Sequence, residues 1–256
     1  MDAENFDGWL SLEESEFVGH LYDLAMPIHL GEHDYNTLLS IAPDRAYVVD
    51  VHYRVSRLVD RFNSLNMVYQ MLAVENFPVP SSLQSISREN WVRIVLDVLL
   101  ARLTSVRDCT YLLIAEVFEL GLDPRNVSRR TLRENSTIPN SPFHNLIDDI
   151  ANIGRSLRDE RDLHLHRGEE RPLGEDPITY KVASIFESWG QEISGTDQSG
   201  NPIDLEGKHK RVIEQIQTEF TATAQDLQSK LYELFNELHP VFLQRFRAKR
   251  QLSQLD

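Results

Sequence analysis

Arg158, Arg161 and Arg167 crowd around His164 and His166 in the run Arg-Asp-Glu-Arg-Asp-Leu-His-Leu-His-Arg-Gly that fills residues 158–168. These residue types suit phosphate chemistry. An unperturbed imidazole titrates at about 6.5, so a histidine can exchange a proton near neutral pH. A guanidinium presents a planar fork of donors that grips a phosphate through two parallel hydrogen bonds. Arg161, Asp162 and His166 form the pattern Arg-polar-x-x-x-His. Asp162 stands four residues before His166 and can orient that imidazole from the preceding turn. His164 competes with His166 as proton carrier, because Arg158-x5-His164 is a looser form of the same spacing. This chemistry needs no metal. No cysteine or carboxylate framework at ligand spacing joins the two histidines, so neither a metal nor another cofactor is expected. The competing reading is a salt-bridge network at a helix end, where basic residues also suit the helix dipole.

The elements that must position these residues all read as helical. Trp9 to Ala25 forms a first amphipathic stretch, stopped by Pro27. Residues 47–77 carry Val48, Val51, Val55, Leu58, Val59, Phe62 and Leu65 at spacings of three and four. Ser87 is placed to cap a helix that runs to Leu120 and closes on Gly121. A short helix fits residues 127–134. Phe143 to His166 reads as one helix with Leu146, Ile147, Ile150, Ile153 and Leu157 on its apolar face. Arg161 and His164 continue near that face, with His166 off it. Ile178–Trp189 follows, then a polar loop over 190–202. Leu205–Leu238 is a long helix, and Pro240 is expected to kink or break it. No stretch alternates like a strand. The sequence predicts an all-α fold, an up-and-down bundle of long helices. It also predicts one domain over 1–256, with an acidic part at 1–46 and the bundle at about 47–250. Residues 122–141 are the only boundary candidate.

The chain has 256 residues and a net charge of −14. Residues 1–50 hold eleven acids and one base, Arg45. Nonspecific nucleic-acid affinity comes from neutralising phosphates, so this balance argues against a protein that coats RNA or DNA. It leaves room for a local cationic site. The single cysteine, Cys109, excludes an intramolecular disulfide and suggests a reducing compartment. The acidic N-terminus is unlike a signal peptide, and the most apolar run, Trp91–Leu103, is too short and too charged to span a bilayer. The expectation is a cytoplasmic protein without a membrane partner.

Two further patterns compete for attention. Arg107-Asp108 is a polar pair inside an apolar helix, read either as an auxiliary to the motif through Asp108 or as a buried pair anchoring helix packing. His29-Leu-Gly-Glu-His33 matches His-x-x-Glu-His of zinc peptidases. Gly31 and Pro27 oppose the helix that such a site needs, and no third ligand is at hand.

The motif Arg161-Asp162-x-x-x-His166, at the end of a long helix in an all-helical chain and followed by Arg167-Gly168, resembles the active-site motif of the HEPN superfamily. The resemblance covers about residues 90–250 in organisation and a handful of positions in motif. It implies a HEPN-like bundle in which two subunits place their motifs across a shared cleft, hence a homodimer. It implies a metal-independent endoribonuclease that cleaves RNA by attack of a ribose 2′-hydroxyl on the adjacent phosphate. Arg161, Asp162 and His166 would be catalytic, with His164, Arg158 and Asp108 as auxiliaries. It further implies service as a toxin or antiviral-defence effector, with a regulatory protein partner. The alternative is a non-catalytic helical protein that binds a partner or a nucleotide.

Overall fold

A computed structural model of the chain describes residues 10–31, 35–74, 86–155, 157, 159, 171–191 and 193–252, without the side chains of 38–40 and 252. The fold is all-α. Among the described residues there is no strand, and the pairing of Thr196 with Pro202 is an isolated bridge. The helices are α1 (Glu16–His29), α2 (Tyr35–Ile41), α3 (Pro43–Leu72), α4 (Arg88–Val117), α5 (Arg129–Arg133), α6 (Asn145–Asn152), α7 (Pro177–Ser188) and α8 (Leu205–Leu252).

The chain divides into two compact units. Among the described residues, the first takes residues 65–102 and 154–224 and the second takes 10–64, 103–153 and 225–252. Neither unit is a continuous segment, and α3, α4 and α8 each contribute to both.

In the first unit, Leu65, Val68 and Leu72 of α3 are buried, as are Val92, Val95 and Leu99 of α4. Tyr180 and Ala183 of α7 and Val212, Ile216 and Phe220 of α8 complete that core. In the second unit, Val48, Val51, Val55, Leu58 and Phe62 of α3 form the buried stripe that their spacing predicts. Phe17 and Leu21 of α1 and Leu234, Phe235, Leu238 and Phe242 of α8 are buried in the same unit. Each such side chain contributes roughly 1.5–3 kcal/mol by leaving water. The hydroxyl of Tyr47 donates to the Val117 carbonyl at 2.9 Å and satisfies one of the last carbonyls of α4.

Local signals set several boundaries. The Asn90 amide donates to Ser87 Oγ at 3.2 Å, the expected cap of α4. Ser128 and Thr131 form a reciprocal capping box at α5. Asp176 caps α7 by accepting from the Thr179 amide.

Four expectations need correction. The first helix begins at Glu16 rather than Trp9, and it continues through Pro27 to His29. Pro27 removes only the amide that would have reached the Asp23 carbonyl, and both residues are exposed, so water can take its place. The same reasoning explains α8, which Pro240 does not break. Pro240 and Asn236, whose carbonyl loses its donor, face solvent, while Leu238 and Phe242 on either side of the proline are fully buried. α4 stops at Val117, short of Leu120, where Glu119 and Gly121 take positive φ of 47° and 61°. Finally, 143–166 is not one helix. α6 ends at Asn152, Ile153 is non-helical (φ −58°, ψ 129°) and Gly154 is left-handed at φ 64°.

Candidate functional site

Arg158, Arg161, Asp162, His164 and His166 lie outside the described residues, and so does Arg167. The structure shows what borders them. On the N-terminal side, residues 155, 157 and 159 are helical, Leu157 is buried, and Arg155 and Asp159 pair at 3.9 Å across one turn. The left-handed Gly154 starts this stretch. A Cβ at Gly154 would lie 3.2 Å from Thr223 Cγ2, so both backbone conformation and close approach favour glycine there.

On the C-terminal side the chain re-emerges at Arg171, which is held twice. Its guanidinium pairs with Glu219 of α8 at 2.6 Å, and its carbonyl accepts from Arg93 of α4 at 3.3 Å. Arg93 is itself paired with Glu89, one turn earlier. Glu89 is only 1% exposed, and its Oε2 has no hydrogen-bond partner among the described residues. Leu173 then turns inward, and Gly174 (φ 74°) brings the backbone against Val212.

A small cavity of about 110 Å³ follows, lined in part by Gly174, Asp176, Tyr180, Lys208 and Arg211. Lys208 sits between Asp176 and Asp197 at 3.7 and 3.3 Å, so its charge is already matched. Behind it, Tyr180 and His209 are buried with hydroxyl and Nδ1 2.7 Å apart. Burial, reinforced by Glu89, pushes the Tyr180 phenol up, so it keeps its proton. Burial, then the Arg88 guanidinium, pushes His209 down. The contact is therefore a hydrogen bond between an un-ionised phenol and a neutral imidazole. Arg88 bridges Glu187 and Glu206 at 2.9 and 2.8 Å. Tyr180 and His209 are buried beneath these exposed carboxylates, and the group packs beside the residues that follow the motif.

Sequence reasoning missed these scaffold residues, although a signal exists. Glu89 precedes Val92 by three residues, and His209 lies between Leu205 and Val212, in phase with the buried stripes of their helices. A polar residue in apolar phase must be satisfied or costs free energy.

The expected auxiliary, Asp108, belongs to the second unit, whereas the described residues bordering the motif belong to the first. The reading of Arg107-Asp108 as a buried anchor is corrected. The Asp108 side chain is 58% exposed, and the two neighbours pair with each other at 3.1 Å. Helical geometry explains this, since position 108 falls between the buried Val106 and Thr110 on the outward face. Cys109 is half-buried, and burial pushes its thiol up, away from the reactive thiolate.

Of the His-x-x-Glu-His match, His29 ends α1, and Glu32 and His33 lie outside the described residues. Among the described residues no group of three or more His, Cys, Asp or Glu could hold a metal ion, and no helix is long and apolar enough to cross a membrane. No protein-family model, curated protein or solved structure matches the chain.

Proposed function

We propose that the chain is a HEPN-like, metal-independent endoribonuclease that acts as a homodimer. The observation that carries this reading is the pattern Arg161-Asp162-x-x-x-His166 within an all-α chain. The anchoring of Arg171 by Arg93 and Glu219 supports it, because a motif needs a fixed exit to hold catalytic geometry.

In this reading His166 accepts the ribose 2′-hydroxyl proton, with His164 as the competing carrier. The 2′-oxygen then attacks the adjacent phosphorus. Arg161 stabilises the charge that builds on the phosphate oxygens, and Asp162 holds the imidazole in its working orientation. The P–O5′ bond breaks, the leaving 5′-oxygen takes up a proton, and a 2′,3′-cyclic phosphate remains. Strong net acidity favours a restricted RNA target over indiscriminate binding. It also suits a role under the control of a protein partner, as in toxin or antiviral-defence systems.

The test is incubation of the full chain with a mixed RNA pool in chelator, beside Arg161→Ala, His166→Ala and His164→Ala. The expected result is cyclic-phosphate ends from the wild type. One histidine variant should lose activity by about 10²–10⁴-fold and Arg161→Ala by a comparable factor. A folded dimer that leaves every RNA intact would overturn the proposal in favour of a non-catalytic interaction or nucleotide-binding protein.

A further inference from the structure

In the second unit two imidazoles face each other. His29 Nε2, at the end of α1, lies 3.2 Å from His52 Nδ1 on α3. The other nitrogen of His52 lies 3.3 Å from Ser56 Oγ, and Ser56 in turn donates to the Tyr22 hydroxyl at 3.3 Å.

Ser56 has one hydroxyl proton and gives it to Tyr22, so towards His52 it can only accept. With the Ser56 proton on Tyr22, His52 Nε2 carries the hydrogen, which leaves a lone pair on His52 Nδ1 on the side of His29. An imidazole whose far N–H is tied to an oxygen is the arrangement found around metal-ligating histidines, because it fixes the tautomer that leaves the near nitrogen able to bind. The spacing agrees. Two nitrogens each 2.0–2.1 Å from a tetrahedral ion stand about 3.3 Å apart.

The geometry points to His29 Nε2 and His52 Nδ1 as a two-imidazole site for a divalent late first-row transition-metal ion, Zn²⁺ or Cu²⁺, that clamps the end of α1 to α3. Imidazole ligands suit these ions, and Cu²⁺ stands at the top of the general affinity order. Without the ion, His29 Nε2–H donates to His52 Nδ1. With it, the His29 proton resides on Nδ1 instead, and both facing nitrogens bind.

No third His, Cys, Asp or Glu among the described residues completes the set, and water or an exogenous donor can occupy the remaining positions. His29 is exposed and His52 half-buried, which leaves room for them. The net charge of −14 favours a cation in general terms. A second pair, His20 Nδ1 and His239 Nε2, is as close at 3.0 Å. There the Phe17 ring packs 5.7 Å from the His239 ring and both histidines are half-buried, so that pair is a tertiary hydrogen bond.

The test is a Cu²⁺ titration of the full chain after chelator treatment, followed by electron paramagnetic resonance. The wild type should bind one ion in this site with two nitrogen donors. His29→Ala and His52→Ala should each remove that two-nitrogen signal. Ser56→Ala, which only frees the His52 ring, should weaken binding by about tenfold. His20→Ala and His164→Ala should leave the signal unchanged. A signal that survives both His29→Ala and His52→Ala, or that disappears with His20→Ala or His164→Ala, would overturn the assignment, as would no binding by the wild type. Should His52→Ala fail to fold, His29→Ala and Ser56→Ala decide the matter.

Discussion

At Gly154 the backbone turns out of a helix that the surrounding apolar spacing would have continued, whereas at Pro240 it stays in a helix that the residue type would have ended. Both positions carry a helix breaker. What differs is their surroundings. Gly154 has Thr223 pressed against the place where a Cβ would be, and its left-handed φ sets the direction of the chain entering the motif segment. Pro240 and the carbonyl it deprives of a donor face water, with fully buried Leu238 and Phe242 holding the helix on either side. Apolar periodicity reports which face is buried. It does not report whether the backbone is continuous.

Substituting each breaker by alanine should therefore give opposite signs. Pro240→Ala restores an amide within a helix that already exists. A proline in a helix interior costs about 3 kcal/mol, and its stiffening of the unfolded chain returns up to about 1 kcal/mol, so the variant should gain about 2 kcal/mol in urea denaturation. A loss would mean that the fold needs a kink there. Gly154→Ala places an L-residue at positive φ and against Thr223, and should lose about 1–2 kcal/mol in the same assay. A gain would show that the helix through 143–166 is the preferred state and that Gly154 does not interrupt it.

Acid should separate the same two stretches by smaller amounts. His209 and His239, both on α8, are pushed below the ordinary histidine value of 6.5, by burial first and then by Arg88 and His20 respectively. Between the lowered and the ordinary value the unfolded chain binds more protons, so their contribution is complete above 6.5 and declines as pH falls through it. On α6, burial raises the Asp148 carboxyl, but the Arg129 and Arg133 guanidiniums outweigh this and hold it below 3.8. Its contribution persists above that value and is lost only as pH falls below it. Urea midpoints between pH 8 and 5 should thus decline with a slope that His209→Gln reduces, by at most about 1.4 kcal/mol per pH unit. Asp148→Asn should leave the slope in that window unchanged.

The all-α class and most helix cores were legible in the sequence, because burial imposes the 3.6-residue period directly. Val48 through Leu65 on α3 and Val212 through Leu238 on α8 are buried where the spacing put them. Ser87 and the loop over 190–202 were legible for an equally local reason, cap and turn chemistry. The two-unit division was not, since each unit assembles distant segments and no change of composition marks where α3, α4 or α8 passes from one to the other. The scaffold around Tyr180, His209 and Glu89 was hidden because its members are single polar residues in apolar stripes. Tyr180 and His209 find each other from different helices, so no spacing within one helix reveals that pair, and the i,i+4 spacing of Glu89 and Arg93 does not by itself show that Glu89 is buried. The motif chemistry was read from residue types alone, and its catalytic residues lie outside the described part of the chain.

The second unit is closed by its most distant parts. Gln228 and Tyr232 on α8 both donate to the Ser11 carbonyl, and His20 meets His239, partners separated by 217 to 221 residues. Loop-closure entropy makes such pairings late events in folding. During synthesis at about 5–20 residues per second, the apolar face of α1 waits on the order of ten seconds or more for its α8 partners to leave the ribosome. Nascent chains paused before residue 228 would therefore expose Phe17 and Leu21 and be natural clients for a chaperone.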